Sequence, residues 1–441
     1  MLKPNIAPSF APLVALFADC FTKPTFATFQ HIVAGWILCV GRHTVTGVLR
    51  ASGAVGMKHH TSFHRFFRTA KWEPGRLGLV LLKLVLAWVP ANDVVILPLD
   101  DTLGRHTGKR IRGASMHHDP LLSTRRRAFF HWGHVWVVLA VMVRVPRWNK
   151  SFALPVFARL YRSEKLCTSE GRPFYKKTEL AAQLIEIAAG AAPKRDMCVV
   201  ADNAYANSSI VKHLPDNVHF IGRARLDAAL YARPRPQRMG RPRVKGDRVP
   251  SPHARARAWR GWRALPVEVH GRSVTVEVKV FDALWYKVSG GRCLRFVLVR
   301  GWPGHEQDDV LCCTDLTLDA HEIIRRFCLR WSIEVTFQEA KGKLGFEEPQ
   351  NRTEHAVERT APFALWLYTL TVLWYLRLDK RIKSARLPRF PWYQKSVPAF
   401  SDMLAALRRE TWRHRVFDPL PLSPGDQKSV EPLLDAVGYA A

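Results

Sequence analysis

The sequence predicts a mixed α/β fold, and three observations support this prediction. Four short apolar, β-branched runs bounded by turn residues lie between residues 94 and 221, and such runs are typical of buried strands. Helical periodicity separates the later runs, so the order favours a sheet flanked by helices over a helical bundle. The 441 residues, 47% of them hydrophobic, are enough for a sizeable core and two or three structural units.

Residues 1–90 predict a small helical domain. Helical segments such as FATFQHIVAGWILCV and TSFHRFFRTAKW are separated by Pro, Gly or polar breaks. The segment KHHTSFHRFFRTAKW is basic and aromatic, which suits Arg65, Arg68 and Lys71 as contacts to phosphates. A packed helix with a charged outer face explains the same segment equally well.

Residues 91–224 contain the predicted strands. Their sequences are VVILPLDDT, HVWVVLAVMV, MCVVAD and NVHFIG, and helical periodicity lies between them in TELAAQLIEIAAG and YANSSIVKHL. We expect the first strand to end in Asp100 and Asp101 and the third in Asp202. Acids at strand ends project into the crevice where α/β sheets bind ligands. The alternative for each acid, taken singly, is a cap of the following turn or helix.

Residues 225–318 predict a basic segment and a β-rich insertion. From Arg225 to Arg263 the chain is rich in Arg, Pro and Gly and lacks both periodicities, so we expect an extended, mobile segment. Its cations include Arg241, Arg243 and Lys245, and its interleaved Arg and Trp residues suit phosphates and stacked bases; a merely solvated linker is the alternative. The runs LPVEVHGRSVTVEVKVFDALWYKVS and RCLRFVLVRGW then predict strands.

Residues 319–380 predict an amphipathic helix from Arg325 to Gly345 and a supporting buried helix in APFALWLYTLTVLWYLRL. An apolar stripe with the helical period would face the core: Ile333, Phe337, Ala340 and Leu344. On its flank lie Phe327, Arg330, Glu334 and Lys341, so one acid stands between two cations. An ordinary ion pair on a solvated helix is the alternative. Residues 381–441 predict a loop and a basic helical region.

The composition restricts the classes of partner. A formal net charge of +30 and a pI near 10.3 indicate a polyanionic partner, with DNA or RNA ahead of an acidic membrane. The most apolar runs are too short or too interrupted to span a bilayer. Eight scattered cysteines lack a CxxC pair, which predicts a reduced, cytoplasmic protein without a zinc site.

Carboxylates that converge in a basic protein point to a metal site. Clustered acids repel one another and become protonated unless cations neutralise them. Ligand sets made only of oxygen, with open positions, favour Mg²⁺ or Mn²⁺. Two such ions about 4 Å apart activate a water and stabilise the leaving oxygen in phosphodiester cleavage.

The pattern of Phe327, Arg330, Glu334 and Lys341 is similar to the Tyr, Arg, Glu, Lys signature of IS4-like and IS701-like insertion-sequence transposases, within the DDE superfamily. LDDT and VVADNAY resemble the strands that carry the first two acids of this superfamily. The resemblance extends from about Val94 to Thr360. Phe327 departs from it, because Phe lacks the Tyr hydroxyl that would donate a hydrogen bond to phosphate.

The resemblance implies an RNase H-like mixed sheet flanked by helices, with a β-rich insertion and an N-terminal helical domain. It implies Asp101, Asp202 and Glu334 as catalytic metal ligands for two Mg²⁺ or Mn²⁺ ions, with Asp100 as the open alternative for the first. The resemblance assigns DNA contacts to Arg330, Lys341 and Phe327. Some relatives stack a flipped base on a Trp of the insertion, where Trp302 and Trp285 lie here; core packing is the stronger alternative for both.

The implied function is that of a transposase that binds terminal inverted repeats and catalyses metal-dependent DNA cleavage and strand transfer. Double-stranded DNA is then the partner, a homodimer is expected in the DNA complex, and the expected location is the bacterial cytoplasm beside the nucleoid. Two alternatives remain: an RNase H-like nuclease without strand transfer, and a noncatalytic DNA-binding derivative. A binder of acidic membranes or heparin-like polymers leaves the strand-end acids unexplained.

Overall fold

The mixed α/β fold is confirmed by the structure, a computed structural model in which a ten-stranded mixed sheet is flanked by helices, consistent with an RNase H-like fold. The structure describes residues 6–119, 122–124, 126–235, 241–269, 271–304, 306–378, 387, 389–390, 392–417 and 423–440.

Among the described residues, five α-helices precede the sheet, as the helical pattern of this region predicts: α1 (Ala11–Ala15), α2 (Lys23–Leu38), α3 (Val45–Ser52), α4 (His60–Arg68) and α5 (Pro74–Leu86). Local sequence explains several of their ends. Thr44 caps α3 by accepting a hydrogen bond from the backbone N–H of Gly47, and Gly53 ends the helix in the left-handed conformation. Proline in the first turn of α2 and α5 fits the position where no backbone donor is needed.

The first part of the sheet contains two strands more than predicted. Its strands are β1 (Val95–Arg105), β2 (Ser115–His118), β3 (Phe130–Val145), β4 (Lys150–Tyr161), β5 (Met197–Ala201) and β6 (Val218–Arg223). The accompanying helices are α6 (Glu164–Ser169), α7 (Lys177–Ala191) and α8 (Ser208–Val211). The helix predicted in YANSSIVKHL is therefore reduced to a 3₁₀ turn at Asn203–Tyr205 and the short α8.

The insertion extends the same sheet. It contributes β7 (Leu230–Tyr231), β8 (Arg248–Val249), α9 (Pro252–Arg257), β9 (Arg263–Val269), β10 (Arg272–Ala283), α10 (Tyr286–Ser289), β11 (Leu294–Arg300) and β12 (Asp309–Cys313). β12 pairs antiparallel with β6, so the sheet order is β2-β3-β1-β5-β6-β12-β11-β10-β9, with β4 on β3. β7 and β8 form a separate two-stranded sheet. The prediction of an extended basic segment is wrong at α9, a short helix capped by Ser251.

The prediction that the first strand ends at its acids is wrong. β1 continues to Arg105, because its antiparallel pairing with β3 runs from Leu99 to Arg105. The parallel pairing of β1 with β5, in contrast, stops at Leu99 opposite Ala201. Asp100 and Asp101 therefore lie inside β1, at the point where its neighbour β5 ends.

The single helix predicted from Arg325 to Gly345 is also wrong in its continuity. The structure has two helices, α11 (Ala320–Leu329) and α12 (Ser332–Leu344). Between them the backbone N–H of Arg330 donates to the carbonyl of Phe327, and that of Glu334 to Trp331, so each bond spans three residues instead of four. The tight turn lets α11 pack on β5 and β6 while α12 packs on β1 and β4 of the twisted sheet.

A long buried helix, α13 (Glu354–Arg377), packs against α12 as predicted. Its residues, the N-terminal helices and the sheet contribute to one continuous hydrophobic core. Among the residues described, no helix has the length and apolar character needed to cross a membrane. After α13 come β13 (Arg389–Phe390), β14 (Tyr393–Gln394), α14 (Phe400–Trp412) and α15 (Pro424–Tyr439).

Buried Arg359 joins α13 to the N-terminal helices. Its guanidinium donates to the carbonyls of Phe67 at 3.0 Å and Trp72 at 2.6 Å and lies 4.6 Å from the Trp72 ring. The two carbonyls are thereby satisfied inside the core. This contact ties the chain segment before the sheet to the helix that supports α12.

We predict that Arg359→Met lowers the free energy of unfolding by roughly 2–4 kcal/mol, because two buried carbonyl groups lose their donor. Urea denaturation followed by circular dichroism measures this change. Arg50→Met is the control, since Arg50 is exposed on α3. Equal stability of the two variants would contradict the role assigned to Arg359.

Candidate active site

Asp100 and Asp202 lie on the same face of the sheet. Leu99 of β1 and Ala201 of β5 are register partners in a parallel pair, and both chains continue in extended conformation to the next residue. Side chains at matched positions of parallel strands point to the same face, and neighbours along a strand point to opposite faces. Cys198, on the Asp202 face of β5, contacts Arg326 of α11, so this face is the one that α11 and α12 cover.

Arg330 joins Asp100 to Glu334. One guanidinium nitrogen, Nη1, lies 3.0 Å from Asp100 Oδ2 and 3.0 Å from Glu334 Oε1. The partners Asp100 and Arg330 are 230 residues apart in sequence. The tight turn before α12 places Arg330 there, and hydrogen bonds fix the helix itself: the Thr336 hydroxyl donates to the Ala153 carbonyl at 2.8 Å.

Burial raises the pKa of Asp100 to about 7. The nearby Arg330 guanidinium lowers this pKa, whereas the charges of Asp101 and Glu334 raise it, and desolvation is the largest effect. A further cation close to the Asp100 carboxyl would lower its pKa again.

Asp101 lies on the opposite face, away from Glu334. Its Oδ2 is 2.7 Å from Nζ of Lys177, the first residue of α7, and its Oδ1 accepts a hydrogen bond from the Tyr205 hydroxyl at 2.7 Å. Burial, followed by the charge of Asp101, raises the pKa of Tyr205 well above its usual value, so the hydroxyl stays a donor. Both oxygens of Asp101 are therefore engaged by residues of that face.

Asp202 faces a second arginine. Its Oδ1 is a buried atom without a hydrogen-bond partner and lies 4.0 Å from Nε of Arg223, the last residue of β6. The same Nε lies 3.3 Å from Oδ1 of Asp309, the first residue of β12. Asp202 and Asp309 thus share one guanidinium, as Asp100 and Glu334 share another.

Lys341, Phe327 and Trp302 are the other predicted contacts around α11 and α12. Lys341 Nζ donates to the Leu103 carbonyl at 2.6 Å and lies 3.2 Å from Glu347. Phe327 is 4% exposed, and Trp302, 8% exposed, meets its ring edge-on at 6.2 Å. Neither ring offers a free face to a base; both pack in the core.

The basic segment presents its cations differently. Arg241 and Arg243 are exposed, whereas Lys245 lies over the rings of Tyr231 and Tyr286 at 4.1 and 5.4 Å. Further along, Trp259 is 78% exposed and carries the Arg260 guanidinium 4.8 Å above its ring. Residues 236–240, part of the segment predicted to be mobile, lie outside the described residues.

The candidate residues suit a divalent cation in chemistry. They offer carboxylate oxygens, and the buried Oδ1 of Asp202 lacks a partner that a cation would supply. Within the described part of the chain, however, no three His, Cys, Asp or Glu side chains are grouped closely enough to hold an ion. The positive charge between Asp100 and Glu334 is that of the Arg330 guanidinium.

Sequence reasoning missed four residues around these acids: Lys177, Tyr205, Arg223 and Asp309. Arg223 ends β6 and Asp309 begins the adjacent strand β12, but their pairing depends on the register of these two strands. The one available signal was charge at a strand terminus, which also marked Asp202. Tyr205 follows Asp202 by three residues and carried no such signal.

A family model described as DDE superfamily endonuclease matches residues 16–278. The matched region includes Asp100, Asp101 and Asp202 and ends before Glu334. Comparison with curated proteins gives no significant match.

We predict that Asp100→Asn stabilises the protein relative to wild type increasingly as the pH rises. The folded pKa of Asp100, about 7, lies above the usual value of 3.8 for an aspartate, so ionisation opposes folding. The favourable contribution of the protonated acid is complete below about pH 4 and is lost as the pH passes through about 7. Asn mimics the protonated form at every pH.

Thermal denaturation in EDTA from pH 4 to pH 8 measures this difference. The melting temperature of Asp100→Asn minus that of wild type should rise across the range and level off above about pH 7. A difference independent of pH would contradict the raised pKa.

Proposed function

Because the chain belongs to the DDE superfamily of endonucleases, we propose that it is an insertion-sequence transposase that cuts and joins DNA strands with the help of divalent cations. The IS4-like or IS701-like group, strand transfer and recognition of terminal inverted repeats are the finer parts of this proposal. Its partner is double-stranded DNA, and two copies of the chain act together on the two ends of the element.

One observation carries the proposal: Asp100 and Glu334, far apart in sequence, share one guanidinium on the same sheet face as Asp202. An ordinary ion pair on a solvated helix does not account for this, because Arg330 is only 8% exposed and reaches a central strand. Separate capping roles for the acids do not account for it either, since Asp100 lies within β1.

We assign the first ligand position to Asp100, the alternative that the sequence left open beside Asp101. Asp100 points towards Glu334, whereas Asp101 is held by Lys177 and Tyr205 on the other face. The proposed ligand set is therefore Asp100, Asp202 and Glu334. Asp101 would instead fix the position of β1 relative to α7.

The side chains of this face would position the DNA strand. Endonucleases of this superfamily use divalent ions such as Mg²⁺, which neutralise phosphate charge and activate the attacking water or hydroxyl. Arg330 and Lys341 supply N–H donors beside the acids for the phosphates that flank the cut. The rigid attachment of α12 to the sheet fixes these donors, which is the contribution that positioning makes to phosphoryl transfer.

A cleft in the N-terminal helices fits the DNA backbone. It has a volume of about 600 Å³ and is lined by Lys58, Arg65 and Lys71, by hydroxyl side chains and by no acid. The N-terminus of α2, whose dipole favours anions, opens onto it beside Thr22 and Thr25. Cations, hydroxyls and backbone N–H groups together are what phosphates bind.

We predict that Asp100→Ala, Asp202→Ala and Glu334→Ala each reduce DNA cleavage by at least about 1,000-fold, as expected when a catalytic metal ligand is lost. The substrate is a labelled duplex with the sequence that flanks the coding region, incubated with Mg²⁺ or Mn²⁺ and, separately, with EDTA. Binding of the same duplex should persist in each variant, since the acids do not attract phosphates.

Asp101→Asn is the matched control for Asp100→Asn. If Asp100 is the ligand, Asp100→Asn abolishes cleavage and Asp101→Asn retains much of it. The reverse result would assign the ligand to Asp101. A wild-type protein that binds DNA and never cuts it would refute the catalytic proposal, and cleavage without joining to a target plasmid would indicate a nuclease.

We predict that Arg65→Gln with Lys71→Gln weakens binding to duplex DNA and lowers the slope of log affinity against log salt by about 2, because two phosphate contacts are lost. Fluorescence anisotropy between low and moderate salt measures both effects. Lys83→Gln is the control, since Lys83 is exposed on α5 outside the cleft. An unchanged slope would show that the cleft does not contact DNA.

A further inference from the structure

Phe327 supports two guanidinium groups at once. The guanidinium carbon of Arg330 lies 5.8 Å from the centre of its ring, and that of Arg223 lies 5.9 Å away. Phe327 is buried and is held edge-on by Trp302, so its position is fixed by the core. The two arginines come from different elements, β6 and the turn before α12.

Each of these arginines lies between two carboxylates. Arg330 stands between Asp100 and Glu334, with both contacts at 3.0 Å. Arg223 stands between Asp309 at 3.3 Å and Asp202 at 4.0 Å. All three proposed ligand carboxylates therefore have an arginine beside them, and a single aromatic ring joins the two arginines.

We propose that Arg223 and Arg330 are paired counterions that compete with a divalent cation for the three ligand carboxylates. This inference rests on the proposed function, because the ligand set is taken from it. Without a cation nearby, ionised carboxylates on one face would repel each other or take up protons. Each guanidinium group reduces this repulsion between the carboxylates.

The attachment of Arg223 is suited to this role. Asp309 holds the guanidinium at the shorter distance, so Asp202 keeps a buried oxygen without a hydrogen bond. Arg223 is thus close enough to attract the Asp202 carboxylate and leaves one of its oxygens for another cation. The ring of Phe327 favours the guanidinium on its face and limits how far it moves.

The test measures binding of Mn²⁺ alone, by electron paramagnetic resonance of the free ion, to the full chain and its variants. We expect Arg223→Gln to bind Mn²⁺ roughly tenfold more tightly than wild type, because a competing positive charge close to Asp202 is removed. Arg223→Lys keeps the charge and should bind Mn²⁺ as wild type does. Asp309→Asn should weaken binding, because Arg223 is left to Asp202 alone.

Arg225→Gln is the matched control. It removes the same charge two residues further along, where the exposed side chain pairs with Asp227 at 2.7 Å, and it should leave Mn²⁺ affinity unchanged. Circular dichroism establishes that each variant is folded. The opposite effects of Arg223→Gln and Asp309→Asn are the distinguishing result, since a purely structural ion pair predicts the same loss for both.

Unchanged or weaker Mn²⁺ binding by folded Arg223→Gln, with normal binding by wild type, would overturn the counterion role and leave the proposed function intact. The same conclusion follows if Asp309→Asn tightens binding. A wild-type protein that binds no Mn²⁺ would overturn the proposed ligand set and, with it, this inference.

Discussion

Acids placed side by side on one face of a sheet repel one another unless positive charge lies close to them. Here Arg330 supplies that charge to Asp100 and Glu334, and much of the structure serves to put its guanidinium in place. The turn between α11 and α12 changes the course of the chain where the sheet twists. α12 then lies along β1 and β4, with its polar flank over the acids and its apolar stripe in the core.

The N-terminal helices help to hold α12. The Trp36 indole of α2 donates to the carbonyl of Leu344, the last residue of α12, at 2.8 Å. Gly345 then ends the helix with φ of 63°, in a place where a β-carbon would collide with His43. Arg359 adds its link between α13 and the carbonyls of Phe67 and Trp72. Removing the N-terminal helices would therefore remove contacts that hold α12 as well as the basic cleft around Arg65.

Periodicity in the sequence was enough to predict the mixed sheet, the N-terminal helices and the buried α13, because these depend on the apolar pattern of each segment alone. Periodicity could not decide which of Asp100 and Asp101 faces α12. LDDT reads the same whichever acid faces α12; the face is set by the register of β1 with β5 and by the continuation of β1 to Arg105. The Arg223–Asp309 pair likewise depends on β6 meeting β12 across the insertion.

The positive charges of the protein fall into two groups, one buried and one at the surface. Arg359 is buried and donates to two carbonyls of the core, so its guanidinium is not available to a ligand at the surface. The cleft around Arg65 and the surface around Trp259 keep their cations outside, the first within the N-terminal helices and the second between α9 and β9. Both are attached to one continuous core, because the insertion strands extend the central sheet and the N-terminal helices pack with it. A polyanion attracted to either surface is consequently oriented with respect to the acids by the fold itself, and flexible attachment of a separate binding module is not required.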